Sequence, residues 1–264
     1  MTSKADGAIS ALRSGHNTLT ELIEGLDPED LSRPSAAPEW TIAQVLSHLG
    51  SGGEINLASL DASLGDGPAP DSDFNHGVWD RWNAMDVREQ AESFVKADEQ
   101  LVERYESLDQ SARDNTKVII SFLPEPVDVA TSAAFRLNEL TLHGWDVAVA
   151  LDPAATLPPE ALEHLPTAIG YFFGWIAKPG NVLAGREISI AVTTTAPDNE
   201  FGLTVSDTAA LTESPSNPDA TLNLPAESWL RLVSGRLAPE HTPDDVNVTG
   251  AITLDELRTI FPGY

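Results

Sequence analysis

The chain has 264 residues, enough for two domains that each bury a core, and it sets 15 Lys plus Arg against 41 Asp plus Glu for a formal net charge of −26. Such a field repels nucleic acid and anionic membrane surfaces, so polyanions are the partner class most strongly disfavoured, and an anionic substrate would need a local arginine. With no cysteine the protein forms no disulfide, thiolate metal ligand or cysteine nucleophile, and any thiol chemistry must borrow its sulfur from elsewhere.

The amino-terminal MTSKADGAISALRSGH lacks the continuous apolar core of a signal peptide, and no run nears the roughly 20 apolar residues of a membrane span. A cytoplasmic location is the expectation. Ile9, Leu12, Leu19, Leu22, Ile23 and Leu26 recur near helical spacing and predict a first amphipathic helix over residues 8–26, ending at Asp27-Pro28. A loop with three prolines, DPEDLSRPSAAPEW, follows. Thr41 and Gln44 have the form of a capping box that opens a second helix, TIAQVLSHLGSGGEINLASL, with His48 among Ile42, Val45, Leu46 and Leu49. After a Gly, Pro and Asp-rich loop at 65–73, the second half of VWDRWNAMDVREQAESFVKADEQLVERYESL carries Phe94, Leu101, Tyr105 and Leu108 at the spacing of a third helix. Residues 117–127 read as a loop, and a fourth helix is predicted over 128–151.

Four helices joined in this way make a bundle whose interior can hold a site built from facing side chains. The proline-rich LDPAATLPPE marks a domain edge, placing the bundle in residues 1–152. Beyond it come a helix over 159–177, β-like REISIAVTT, FGLTVSD and DATLNL, a helix at AESWLRLVSGR, and VNVTGAITLDELRTIF as strand then helix. Residues 153–264 are therefore predicted to form a smaller α/β or α+β domain.

The end of the fourth helix, LNELTLHGWDVAVAL (137–151), sets polar groups in an otherwise apolar run. Leu137, Leu140, Leu142, Trp145, Val147, Val149 and Leu151 cover most of its circumference, which predicts enclosure on nearly all sides. At about 100° per residue, Glu139 and His143 lie roughly 40° apart and Asp146 returns to within about 20° of Glu139, so all three point the same way. An enclosed, unpaired carboxylate costs several kcal/mol unless a cation or hydrogen bonds compensate. A divalent metal supplies that compensation, with Glu139 and His143 as two ligands and His48 as the third, because His48 is the histidine read as mid-helix in the bundle. His16 is placed near a glycine of the first helix, His76 in a loop, and His164 and His241 beside prolines of the second domain. The ordinary alternative for Glu139 and His143 is a hydrogen-bonded helical pair.

The string APEWTIAQVLSHLGSG, followed far downstream by LNELTLHGWDVA, resembles the mycothiol-dependent maleylpyruvate isomerase family, whose N-terminal half is a DinB-like metal-binding four-helix bundle. VWDRWNAMDVREQ resembles that family's linker into helix three, and PDATLNLPAESWLRLVSGR with VNVTGAITLDELRTIF is similar to the sterol-carrier-like domain that often follows. The resemblance implies a catalytic site on His48, Glu139 and His143, with zinc the expected ion, an open coordination position, and mycothiol as thiol cosubstrate. It implies thiol addition to a small electrophile, with cis–trans isomerisation or S-transfer as the outcome. The alternative is a non-catalytic metal-binding protein whose second domain holds apolar ligands. Asp146 is read as orienting a ligand imidazole or as a spare ligand. Gly52 and Gly53 either leave room for the thiol or let helices approach closely. Arg81, between Trp79 and Trp82, either reaches a carboxylate or stacks on its tryptophans. Arg231 and Arg236 are further candidates for holding an anion.

Overall fold

The computed structural model describes residues 3–263. Compactness divides the chain between His164 and Leu165. The first unit contains α1 (Ala5–Glu24), α2 (Pro28–Leu31), α3 (Ile42–Leu64), α4 (Ser72–Asn83), α5 (Val87–Glu106), α6 (Gln110–Asn115), β1 (Lys117–Val118), β2 (Val127–Asp128) and α7 (Val129–Leu151). The long helices close a ring: α3 packs on α5 and α7, and α1 packs on α7 and α5. Leu12, Ile42, Leu46, Leu49, Leu101 and Leu137 are wholly buried inside it.

Local signals explain where these helices begin. Thr41 and Gln44 form the capping box of α3, and Asp86 with Glu89 forms another at the start of α5. Asp71 accepts from Phe74 N–H and Asp128 from Thr131 N–H, satisfying first-turn donors of α4 and α7. Gly65 ends α3 at φ +86°, a left-handed conformation that suits glycine. The caps at Asp71 and Asp86 also explain why two helices form where apolar spacing predicts one. Residues 117–127, read as a loop, hold a short antiparallel ladder, Lys117 opposite Asp128 and Val118 opposite Val127.

The second unit contains α8 (Leu165–Ile176), β3 (Ile188–Thr195), β4 (Asn199–Val205), β5 (Ala209–Thr212), β6 (Ala220–Pro225), α9 (Ala226–Val233), β7 (Asn247–Gly250) and α10 (Leu254–Ile260). Its five strands lie in the order β5-β4-β3-β6-β7, with β3 and β6 parallel and the other pairs antiparallel. Ile188, Ile190 and Val192 alternate into the core, and Phe173, Trp229 and Phe261 form an aromatic cluster there.

The helix predicted over 159–177 is divided into a 3-10 turn at Pro159–Ala161 and α8. That turn packs on α1, and Trp145 Nε1 donates to the Ala155 carbonyl at 2.9 Å. These contacts tie the proline-rich segment to the bundle, so compactness places the division at 164/165, beyond the 152/153 edge suggested by composition. His164 therefore belongs to the first unit, where its ring lies against Gly7.

Candidate metal centre

Helix α3 presents His48 two turns beyond its cap, and α7 presents Glu139 and His143 on successive turns. Their candidate ligand atoms all lie within 4.8 Å of one another. His48 Nε2 is 3.1 Å and His143 Nε2 is 3.8 Å from Glu139 Oε2. Among the described residues this is the cluster of three or more potential ligands with metal-holding geometry. The side chains are 39% exposed at His48 and 36% at Glu139 but only 12% at His143, so the cluster is closed at His143 and open to solvent at the other two.

Asp146, buried at the far side of His143, places Oδ2 2.9 Å from Nδ1 of that imidazole. Donation from Nδ1–H to the carboxylate leaves the Nε2 lone pair facing Glu139, the tautomer a metal ligand requires. Partial desolvation pushes the Glu139 carboxyl upward, but its bond with His48 and, when those rings are protonated, the charges of His143 and His48, together with that of Arg136, outweigh this and lower it to about 2. The donors are thus two imidazoles and a carboxylate anion, a set suited to a divalent ion. Trp40, half-buried, borders both rings: its centroid is 5.0 Å from that of His48 and 5.9 Å from that of His143.

Other candidates fall elsewhere. Arg81 on α4 pairs through Nη2 with Glu54 Oε1 at 2.5 Å, and its side chain is half exposed. Glu54 also accepts from Trp82 Nε1 at 3.0 Å, so the three residues join α3 to α4. A Cβ added to Gly52 or Gly53 would meet the Arg136 guanidinium at 3.5 or 3.4 Å, an ordinary van der Waals contact, so both glycines border Arg136 without their lack of a side chain being required by it. Arg231 is paired with Glu227 on its own helix α9, and Arg236 Nη1 donates to the Ser234 carbonyl.

His48 is not the only histidine set mid-helix in the bundle. His16 lies within α1, 4% exposed, with Nδ1 2.9 Å from Asp98 Oδ2 and Nε2 2.8 Å from Glu99 Oε2. Asp98 also accepts from Arg136 Nη2 at 2.5 Å, completing a buried network outside the metal cluster. The sequence carries a signal for it: His16 shares the stripe of Leu12, Leu19 and Ile23, and Asp98 shares that of Phe94, Leu101 and Tyr105.

A family model described as the mycothiol maleylpyruvate isomerase N-terminal domain matches residues 12–148. Among solved structures, a crystal structure of the mycothiol-dependent maleylpyruvate isomerase superposes with a TM-score of 0.66 at 12% identity, covering 96% of this chain and 98% of that one. A histidine-to-alanine mutant of the mycothiol-dependent maleylpyruvate isomerase gives 0.65 at 12% identity and the same coverages. No curated protein matches the chain. At this identity the structural likeness speaks to the fold, which has the same helical and mixed-sheet parts.

Proposed function

The chain belongs to the mycothiol maleylpyruvate isomerase N-terminal domain family, and from that premise we propose that it is a mycothiol-dependent isomerase acting on a small electrophile with an activated double bond. The observation that carries this reading is the convergence of His48, Glu139 and His143 on one solvent-open point, with Asp146 behind His143. These three side chains would hold a divalent cation, and zinc suits the donor set. When bound, such an ion would supply the Lewis acidity that favours the thiolate form of a thiol at the site.

The sulfur must come from a cosubstrate, because the protein has no cysteine. Thiolate addition forms a C–S bond and moves the π pair onto the conjugated carbonyl. Rotation about the resulting single bond follows. Return of the electron pair then breaks the C–S bond, restores the double bond in the trans form and releases the thiol unchanged. In this scheme Glu139 is the anionic donor of the set, beside the cationic Arg136. Asp146 holds the Nδ1 proton of His143 and keeps that ring's Nε2 directed into the cluster.

His143→Ala is expected to abolish stoichiometric metal in the purified protein, as read by elemental analysis; full retention of the ion would remove the basis of the assignment. Incubation with mycothiol and a panel of cis-configured electrophiles tests the reaction. An isomerase returns the thiol and yields the trans isomer, whereas accumulation of a conjugate identifies an S-transferase. Unchanged electrophile and thiol would favour a binding protein.

A further inference from the structure

The two imidazoles of the cluster are oriented by different means. Nδ1 of His143 is held by the Asp146 carboxylate. For His48, Nε2 faces Glu139 at 3.1 Å, and among the described residues Nδ1 has no hydrogen-bond partner. A ligand imidazole without such a partner swings about its side-chain torsions unless something packs on its face. The His143 ring meets His48 edge-on at 4.8 Å, and on the loop side the Trp40 indole lies tilted against it, with centroids 5.0 Å apart and planes inclined by 44°.

The backbone of Trp40 is itself fixed. Its carbonyl accepts from Ser35 N at 2.9 Å and Ser35 Oγ at 2.8 Å, its N–H donates to the Ala37 carbonyl at 3.2 Å, and Pro34 bridges Thr41 across the loop. The loop is also tied to α7: Ala36 N–H donates to the Asp146 carbonyl at 3.0 Å, and Arg33 Nη2 donates to the Ala150 carbonyl at 3.0 Å. Glu39, immediately before the tryptophan, adopts φ +66°, a conformation a non-glycine residue keeps only where its surroundings enforce it. Asp146 thus anchors the site twice, through its carboxylate to His143 and through its carbonyl to the loop that carries Trp40.

We propose that Trp40 is the positioning residue for His48, the aromatic counterpart of Asp146 at His143, and that its ring sets the affinity and geometry of the metal centre. This rests on the reading of His48, Glu139 and His143 as metal ligands. It assigns a physical task to the tryptophan of the Pro-x-Trp-Thr string that opens α3: the residue that ends the loop also locks the first ligand of the helix that follows.

The test is a Co²⁺ titration of the full-length metal-free protein, followed by visible ligand-field absorption. Trp40→Met keeps much of the bulk and removes the flat face; it should weaken Co²⁺ binding about 10–100-fold, the usual loss when a ligand's orienting partner is removed, and shift the absorption bands. Trp40→Phe keeps a smaller ring and should recover most of the affinity. Ser35→Ala loosens the loop while leaving the indole intact, and should weaken binding in the same direction by a smaller factor. Thermal unfolding of the metal-free variants separates these effects from loss of fold. Native affinity and an unchanged spectrum in both Trp40→Met and Ser35→Ala would overturn the proposal. Uptake of one equivalent of Co²⁺ by His143→Ala would instead overturn the ligand assignment beneath it, so the two failures are distinguishable.

Discussion

Asp98 is fully enclosed, between His16 on one side and Arg136 on the other. Burial pushes its carboxyl upward, but the Arg136 charge, the His16 hydrogen bond and the Arg136 hydrogen bond outweigh this and hold it below the usual carboxylate range. A carboxyl lowered on folding stabilises the native state above its unfolded value, and that contribution disappears as pH falls through the folded value. Asp98→Asn keeps the shape but leaves the Arg136 cation buried without its counter-charge, which should cost about 3–5 kcal/mol at neutral pH in denaturant unfolding. The same variant should lose less stability than the parent on acidification. Equal stability of the two proteins at neutral pH would show that the pair is compensated some other way. At this scale the sequence is informative in an uneven way. Glu139, His143 and Asp146 stand out because they interrupt an apolar helix, whereas Asp98 lies in a charged one and its burial shows only in the stripe it shares with Phe94 and Leu101.

The contact between α3 and α4 depends on a missing side chain. A Cβ on Gly50 would lie 2.1 Å from the Trp82 ring, which is 2% exposed, so the tryptophan seats directly on the α3 backbone. Gly50→Ala should therefore destabilise the protein by about 1–3 kcal/mol through overpacking, although alanine is the better helix former. Gly25, just past α1 at φ −86° with nothing within 4 Å of its Cβ position, provides the control, since Gly25→Ala should be neutral or slightly stabilising. Equal unfolding midpoints for the two variants would refute this account of the α3–α4 contact. Helix starts are legible because a capping side chain lies next in sequence to the donors it satisfies, as at Thr41. The ladder at Val118 and Val127 is not, because each strand has two residues and is defined by a partner across a turn. Strand β5 is hidden for a related reason: three of its four residues are exposed and give no alternation.

Over the whole molecule, apolar spacing and the proline-rich break foretell the division into a helical unit and a mixed-sheet unit better than they foretell connectivity. The parallel pairing of β3 with β6, Ile190 opposite Ala220, joins segments far apart in sequence and leaves no local trace. The net charge of −26 does have a direct functional consequence under the proposed reaction. Among the described residues Arg81 pairs with Glu54 and Arg136 with Asp98, so neither guanidinium offers an uncompensated charge, and the surrounding field opposes the approach of an anion. Salt shortens the screening length from about 30 Å at 0.01 M to about 8 Å at 0.15 M. Over that range kcat/KM for an anionic electrophile should rise severalfold while that for its neutral ester stays level, because only the anion feels the repulsion. Steady-state rates with the acid and ester of one compound measure this directly. A fall in kcat/KM for the anion with added salt would mean that cationic groups at the site, rather than the acidic surface, govern its approach.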